Sequence, residues 1–143
     1  MLHRFYKHLY VKPYSIELFR YKYYAISMFV LVADDDNVVR RLLEKICQHL
    51  GWRVLAFARG DELAEAALRH RPGLIVSDLH MAGMDGLQAC TKIRRALPAT
   101  AIVFVTGDRL GAATLRAAGF TAVLEKPFTV NEAIRLLTCS VKA

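Results

Sequence analysis

The stretch from Met28 to Asp36, Met-Phe-Val-Leu-Val-Ala-Asp-Asp-Asp, decides how this chain of 143 residues folds. Its first six residues, 28–33, are all apolar, a pattern typical of a strand buried on both faces of a parallel sheet. Three aspartates follow at once. In α/β sheets, functional groups lie in the crevice beyond the carboxyl ends of the strands. The aspartates therefore mark a candidate functional edge, to which other strands should bring further polar groups.

Apolar runs and helical patterns alternate along the rest of the chain. Strand-like runs cover residues 74–76 and 101–105, and weaker ones cover 52–58 and 120–124. A helical pattern follows each strand-like run. The first of these patterns places five apolar residues on one helical face, at Val39, Leu42, Leu43, Ile46 and Leu50.

The resulting order is a strand followed by a helix, five times over. Strict alternation predicts an α/β fold, a doubly wound five-stranded parallel sheet with right-handed helical crossovers and helices on both faces. The fifth helix has a clear start, because Thr129 and Glu132 have the spacing of a capping box. A chain of this length buries roughly 68–70% of its extended surface on folding, so a substantial core is expected.

Polar residues end four of the predicted strands. Asp34 to Asp36 follow the first, Asp78 the third, Thr106 the fourth and Lys126 the fifth. Crowded carboxylates repel one another, and a divalent cation with oxygen ligands, Mg²⁺ in particular, relieves that repulsion. A hard cation, a lysine and a hydroxyl together suit a phosphoryl group, and a carboxylate can accept one to form an acyl phosphate.

At these positions the chain resembles the receiver domain of two-component response regulators, and most closely a stand-alone receiver of the chemotaxis-regulator type. The resemblance covers residues 28–139. Each motif alone is weak, but four in the right order at the right strand ends are specific. They are Leu31-Val-Ala-Asp-Asp-Asp36, Asp78-Leu-His-Met-Ala-Gly-Met-Asp-Gly86, Val105-Thr-Gly107 and Lys126-Pro-Phe128.

The resemblance implies a fold and a set of site residues. The strand order would be 2-1-3-4-5, as in flavodoxin-like folds. Asp78 would be the phospho-acceptor, Thr106 and Lys126 would each bind a phosphoryl oxygen, and the peptide bond before Pro127 would be cis. The Mg²⁺ ligands would be Asp34, Asp35, Asp78 and the backbone carbonyl of His80.

The resemblance also implies a function and partners. A histidine kinase or histidine phosphotransfer protein would dock against the first helix and supply the phosphoryl group. The domain would then signal by binding a downstream protein through the face formed by its fourth helix, fifth strand and fifth helix. Such a module is a cytoplasmic phosphoprotein, not an enzyme, although it assists its own phosphorylation and dephosphorylation. Only residues 140–143 follow the last helix, so no attached output domain is expected.

Three departures from the family pattern bear on signalling. Receivers usually carry Tyr or Phe three residues before the conserved lysine, where this chain has Val123. The segment 106–119 is about two residues short for the family, and Ala82 stands where a proline is common. The first two of these departures leave open an alternative function, a constitutive adaptor with the receiver fold that phosphorylation does not switch, whereas Ala82 implies a less rigid turn.

Two positions beside the predicted site, His80 and Asp108, vary within the family and tend to set the lifetime of the phosphoryl group. We hypothesise that they line the path of the attacking water. For His80 an ordinary solvated loop position remains open as well.

An enzymatic alternative is a phosphatase of the haloacid-dehalogenase type. Its Asp-x-Asp-x-(Thr/Val) motif is matched by Asp34, Asp36 and Val38. That fold also needs an acidic pair beyond the lysine, and only Glu132 follows Lys126. The two interpretations name different nucleophiles, Asp34 for the phosphatase and Asp78 for the receiver.

Charge and composition exclude several classes. An apolar share of 55% excludes a disordered chain. No apolar run approaches the ~20 residues that span a bilayer, and the basic first residues lack the apolar stretch and cleavage site expected of a secretory signal. Three widely spaced cysteines, Cys47, Cys90 and Cys139, favour reduced thiols. Exposed charges around Arg40 and Arg41 are expected on a solvated face.

The net charge of +7 is unevenly distributed. Residues 1–27 hold five basic residues, one acidic residue and all six tyrosines, whereas residues 28–143 hold 15 basic and 12 acidic residues. We therefore expect a receiver domain over 28–143 that does not itself bind nucleic acid. Residues 1–27 are interpreted as an extension, with three origins open: a mis-assigned translation start or cloning remnant, a natural extension, or a segment binding an anionic surface.

Overall fold

The computed structural model describes residues 28–141, so the interpretation of residues 1–27 lies outside the described part. Within it, five parallel strands form one sheet in the order β2-β1-β3-β4-β5. The predicted α/β fold and its flavodoxin-like strand order are therefore confirmed. The strands are β1 Phe29–Ala33, β2 Arg53–Phe57, β3 Leu74–Ser77, β4 Ala101–Thr106 and β5 Val123–Glu125.

One helix follows each strand and packs on the sheet, two on one face and three on the other. The helices are α1 Asn37–His49, α2 Gly60–His70, α3 Gly86–Ala96, α4 Arg109–Ala117 and α5 Val130–Val141. Alternate residues of β1 point to opposite faces, so Val30 and Val32 pack with α1 and α5. Leu31 and Ala33 pack with α2, α3 and α4. The sheet is thus buried on both faces, as its apolar strands predicted.

The fifth strand is shorter than the apolar run 120–124 predicted. Only Val123 to Glu125 pairs with β4, opposite Phe104 to Thr106. Phe120 is buried without joining the ladder, because its ring packs edge-on against Phe104 with 5.1 Å between centroids. The run reflects burial of an aromatic side chain as well as strand pairing, and its apolar pattern alone does not separate the two.

Side-chain caps begin several helices at the carboxyl edge of the sheet. The predicted capping box of α5 is confirmed, since Thr129 N–H donates to Glu132 Oε2 at 2.8 Å and Glu132 N–H donates to Thr129 Oγ1 at 3.1 Å. Asp85 and Gln88 form a second capping box at α3. Asp36 Oδ1 caps α1 by accepting from two backbone amides. These caps fix the direction in which each chain leaves the functional edge.

Two of the three cysteines, Cys47 and Cys90, are buried in the core. All three cysteines are free, and burial raises the pKa of the Cys47 and Cys90 thiols to about 12, so both are protonated at neutral pH. Trp52 is buried just before β2. No helix within residues 28–141 is long and apolar enough to span a membrane.

The first residue of α3 lies against the backbone that carries Asp78. A Cβ atom added to Gly86 would lie 1.9 Å from the Asp78 carbonyl oxygen, far inside van der Waals contact. The Gly86 N–H also donates to the Leu79 carbonyl at 2.7 Å. Only glycine therefore lets α3 approach the Asp78 loop this closely.

We expect Gly86→Ala to destabilise the fold by about 1–3 kcal/mol, the usual range for forcing an atom into a packed site. The matched control is Gly107→Ala, where the added Cβ would meet its nearest neighbour, Lys126 Cβ, at an ordinary 3.8 Å. The control should stay within about 0.5 kcal/mol of the wild type. Urea titrations followed by fluorescence of Trp52, the chain's one tryptophan, measure both. Equal midpoints for the two variants would contradict the close approach.

Candidate functional site

The carboxyl edge of the sheet brings together the polar residues that the strand ends predicted. Asp34 and Asp78 follow β1 and β3, Thr106 ends β4, and Lys126 follows β5. Asp34, Asp78 and Thr106 are buried, which is unusual for polar side chains. Within residues 28–141, every buried side-chain nitrogen or oxygen has a hydrogen-bond partner. The site is therefore a satisfied polar cluster set into an apolar core.

Three carboxylates of this cluster converge. Each of Asp34, Asp35 and Asp78 offers one oxygen, and these oxygens lie within 4.8 Å of one another. Asp35 is exposed, so the group opens to solvent on one side. Asp36 is turned away, because its carboxylate caps α1. A hard divalent cation such as Mg²⁺ suits a donor set made only of carboxylate oxygens.

Lys126 connects the two buried carboxylates. Its Nζ lies 3.0 Å from Asp34 Oδ2 and 3.4 Å from Asp78 Oδ2. Burial disfavours the charged ammonium, but the hydrogen bond to Asp34 and the charge of Asp78 outweigh it and leave the pKa of Lys126 raised. The lysine therefore stays protonated and neutralises part of the negative charge at this edge.

Asp34 experiences the opposite balance. Burial raises the pKa of Asp34, and the nearby charge of Asp78 raises it further, whereas hydrogen bonds from the Asp36 amide and Lys126 offset only part of the effect. The Asp36 N–H donates to Asp34 Oδ1 at 2.9 Å. Both pKa values are raised, which favours the charged form of Lys126 but the neutral form of Asp34. The reason is that Asp34 is wholly buried beside a second carboxylate, while Lys126 is partly exposed and contacts two anions.

The backbone holds the Asp78 side chain in one orientation. The Asp78 N–H donates to the Ala33 carbonyl at 2.8 Å, which continues the β1–β3 pairing by one residue. The Leu79 N–H donates to Asp78 Oδ1 at 2.7 Å. Oδ2 is left to face Lys126. One carboxylate oxygen is thus held by an amide, and the other lies beside a cation.

Thr106 lies at the end of β4 beside the start of α4, but it is not the helix cap. Asp108 takes that role, since its Oδ1 accepts from the Gly111 N–H at 2.9 Å. The Thr106 hydroxyl instead accepts from the Asp108 N–H at 3.2 Å. The cap of α4 therefore lies two residues after Thr106, and the Thr106 hydroxyl is not used for capping.

The two residues predicted to tune the site contact each other. His80 Nε2 and Asp108 Oδ2 are 2.8 Å apart, joining the loop after β3 to the loop after β4. The hydrogen bond from the Gly111 amide lowers the pKa of Asp108, and the hydrogen bond with His80 lowers it further. The sequence separation of 28 residues hides this contact, since only the parallel pairing of β3 with β4 brings the two loops together.

Val123 lies on the α4 side of the sheet, half-buried and opposite Phe104. Phe104 is fully buried, so the aromatic bulk on this face comes from β4, not from β5. The Arg94 guanidinium stacks on the Phe120 ring at 3.7 Å from its centroid.

The peptide bond between Lys126 and Pro127 is cis.

Sequence reasoning missed Arg40 as a neighbour of the site. Expected on a solvated face, it is half-buried, and its Nη1 donates to the Asp34 carbonyl at 2.8 Å while Nη2 bonds the Asn37 side chain. The helical pattern contained the signal: Arg40 lies one turn after Asp36, on the first turn of α1. A cation there supports the acidic turn from its backbone side.

Comparison with known proteins agrees with this geometry. The family model for the response regulator receiver domain matches residues 30–138. A protein-glutamate methylesterase/protein-glutamine glutaminase 3 of Hahella chejuensis is 41% identical over 106 residues, which are 70% of this chain and 30% of that protein. The DNA-binding transcriptional regulator NtrC of Escherichia coli is 33% identical over 110 residues, 76% of this chain and 24% of NtrC. The chain thus spans less than a third of either relative.

Solved structures show the same fold. The receiver domain of the sensor histidine kinase PA1611 of Pseudomonas aeruginosa, solved with a magnesium ion in its active-site cleft, superposes with a TM-score of 0.74 at 26% identity, over 82% of this chain and 99% of that one. The chemotaxis response regulator CheY4 of Vibrio cholerae gives a TM-score of 0.73 at 26% identity, over 80% and 98%. Since the family model covers most of the described residues, this chain belongs to the receiver domain family of two-component response regulators.

Proposed function

We propose that this receiver domain accepts a phosphoryl group on Asp78 from the phosphohistidine of a histidine kinase or a histidine phosphotransfer protein. The observation that carries the proposal is the placement of Asp78: its carboxylate is buried, held by one amide, and faces the Lys126 ammonium at 3.4 Å. A phosphoryl group on Oδ2 would lie directly beside that cation.

The residues at this edge fit Mg²⁺. Asp34, Asp35 and Asp78 would hold the ion together with the backbone carbonyl of His80, and the three converging carboxylates support this assignment. When bound, Mg²⁺ offsets the negative charge that builds up on the phosphoryl oxygens during transfer. Magnesium in the cleft of the PA1611 receiver agrees with this assignment.

The transfer joins one Asp78 oxygen to phosphorus and breaks the bond from phosphorus to the imidazole nitrogen, which keeps the electron pair. Lys126 would pair with one phosphoryl oxygen, and the Thr106 hydroxyl would donate to another. Hydrolysis later returns the carboxylate and releases inorganic phosphate. The domain assists both steps but turns over no external substrate of its own.

His80 and Asp108 would control the second step. Their contact spans the two loops that border Asp78, so the joined side chains lie where water must pass to reach the phosphorus. His80 is largely exposed, with 68% of its side chain accessible, which leaves the pair free to open. The lifetime of the acyl phosphate would then depend on how firmly the pair holds.

Exposed apolar residues support the expected partner surfaces. Val38 and Leu42 are exposed on α1, the helix against which the phosphoryl donor would dock. Leu110 on α4 and Val130 on α5 are also exposed, and these two helices with β5 would form the face where the downstream protein would bind. A domain of residues 28–143 would carry both surfaces, and a cytoplasmic location would suit these partners.

A second candidate is a constitutive adaptor, favoured by Val123. Without an aromatic ring at that position, β5 lacks the side chain whose rotamer usually changes on phosphorylation. The phosphatase alternative has less support, because Asp34 is fully buried and bound to Lys126, and Asp36 caps α1. The three functions predict different results with one reagent.

Incubation with acetyl phosphate and Mg²⁺ should give a base-labile acyl phosphate. It is detected as a mass increase of about 80 Da, which corresponds to one phosphoryl group. Asp78→Asn should lose it completely, because the amide is not a nucleophile. Circular dichroism and urea midpoints provide the folding control for each variant.

Other outcomes identify the alternatives. Label that persists in Asp78→Asn but disappears in Asp34→Asn would overturn the receiver mechanism in favour of the phosphatase. A wild type that never becomes labelled, from acetyl phosphate or from a phosphohistidine donor, would favour the adaptor.

Replacing both His80 and Asp108 with alanine should shorten the acyl-phosphate half-life about tenfold, a change of about 1.4 kcal/mol in barrier, because water gains a clear path. Decay of the labelled protein after removal of the donor measures it. The matched control replaces Glu65 and Arg69, an exposed pair on α2 at 3.0 Å, and should leave the half-life unaltered. An unchanged half-life in the His80/Asp108 variant would overturn this role.

A further inference from the structure

Residue Asp108 connects the first turn of α4 to both loops of the site. Its Oδ1 accepts from the Gly111 N–H at 2.9 Å, and its backbone carbonyl accepts from the Ala112 N–H at 2.8 Å. Its Oδ2 lies 2.8 Å from His80 Nε2, and its N–H donates to the Thr106 hydroxyl at 3.2 Å. One residue thus caps a helix and bonds both His80, two residues after Asp78, and Thr106, at the end of the strand next to β3.

The same turn of α4 packs against the neighbour of Asp78. A Cβ atom on Gly111 would lie 2.4 Å from Cδ2 of Leu79, so the helix approaches that side chain as closely as a glycine allows. The Leu79 amide in turn holds Asp78 Oδ1. A movement of the loop that carries Asp78 would therefore reach α4 through the contact between Leu79 and Gly111 as well as through Asp108.

The opposite end of α4 is held by a separate set of contacts. Arg94 Nη2 donates to the Ala118 carbonyl at 2.9 Å, and the same guanidinium stacks on Phe120. Phe120 is buried against Phe104. These contacts lie away from the Asp78 loop, so a displacement at the first turn of α4 would tilt the helix about its anchored end.

We propose that Asp108 is the positioning residue that couples the state of Asp78 to α4. It would take over the role of the aromatic residue that receivers usually carry where this chain has Val123. This inference rests on the proposed phosphorylation of Asp78. A phosphoryl group there would draw the Thr106 hydroxyl toward its oxygens, and a metal on the His80 carbonyl would act on the loop that carries His80. Both groups are bonded to Asp108, so either displacement acts on the cap of α4.

The surface consequence falls on Leu110. This side chain is 83% exposed on the first turn of α4, between Asp108 and Gly111 in the chain. A shift of that turn moves an exposed apolar group on the expected output face without any rotamer change in β5. Val123 has neither the polar group nor the length to transmit such a change itself.

The test uses amide NMR spectra of the full chain with Mg²⁺, recorded with and without beryllofluoride as the phosphoryl analogue. Fluorine-19 spectra verify that each variant is saturated. In the wild type, the amides of Arg109 to Ala112 should shift on addition of beryllofluoride. His80→Ala, which keeps the backbone carbonyl, and Asp108→Ala should each lose at least half of that shift.

Two further variants separate coupling from simple loss of a cap. Asp108→Asn keeps a capping oxygen and a group that can bond His80, so it should restore most of the shift. Asp85→Ala removes the comparable cap of α3, which bonds Gln88 and neither loop residue, and should leave the α4 shift intact.

Each outcome decides the matter. Full α4 shifts in both His80→Ala and Asp108→Ala, or equal losses in Asp85→Ala, would overturn the coupling role while leaving phosphorylation of Asp78 standing. If Asp108→Ala does not fold, His80→Ala and Asp108→Asn still give the answer, since His80 is mostly exposed. A wild type that binds no beryllofluoride at saturating Mg²⁺ would instead overturn the proposed function, and this inference with it.

Discussion

The position of one ammonium group between two buried carboxylates is the constraint on which the rest of this site depends. Asp34 and Asp78 end neighbouring parallel strands, so the sheet itself forces two like charges together. Lys126 contacts both. Removing one partner of a buried ion pair typically costs about 3–5 kcal/mol, because the other charge is left uncompensated. Lys126 follows β5, which lies next to β4, and β4 in turn lies next to β3. This strand order brings the lysine to the two carboxylates.

A site built this way holds more negative than positive charge, with two carboxylates buried and the third, Asp35, open to solvent. The Asp34 and Asp78 carboxylates are held in place, because each accepts a hydrogen bond from one backbone amide of its own loop. The cluster would therefore be arranged in advance for the cation and the phosphoryl group that we propose it binds. The loops that border it carry His80, Thr106 and Asp108, whose mutual hydrogen bonds reach the first turn of α4. The charged residues at the centre of the site and Asp108, which caps α4, thus belong to one connected network.

Much of this architecture could be predicted from pattern alone. Apolar runs and helical patterns predicted five β-α units, and the polar residues that end four of the strands predicted the edge that carries the site. The prediction was weaker where one pattern has two causes. The run 120–124 is apolar because Phe120 packs between Phe104 and Arg94 as well as because β5 pairs with β4. Arg40 was expected to be solvated because its charge suggested an exposed face, although its place on the first turn of α1 puts it near the Asp34 carbonyl that it binds.

The sequence by itself determined the alternation of strands and helices, the residues that end each strand, and the absence of an aromatic residue at Val123, because these depend on local periodicity and composition. Only the tertiary structure decided which of those residues touch. His80 meets Asp108 across 28 residues, and Lys126 meets Asp34 across 92. Contacts at such separations follow from strand order and from the close approach of α3 and α4 to the Asp78 loop, which Gly86 and Gly111 permit. Local patterns carry no information about distances of that kind, since the packing of the whole sheet sets them.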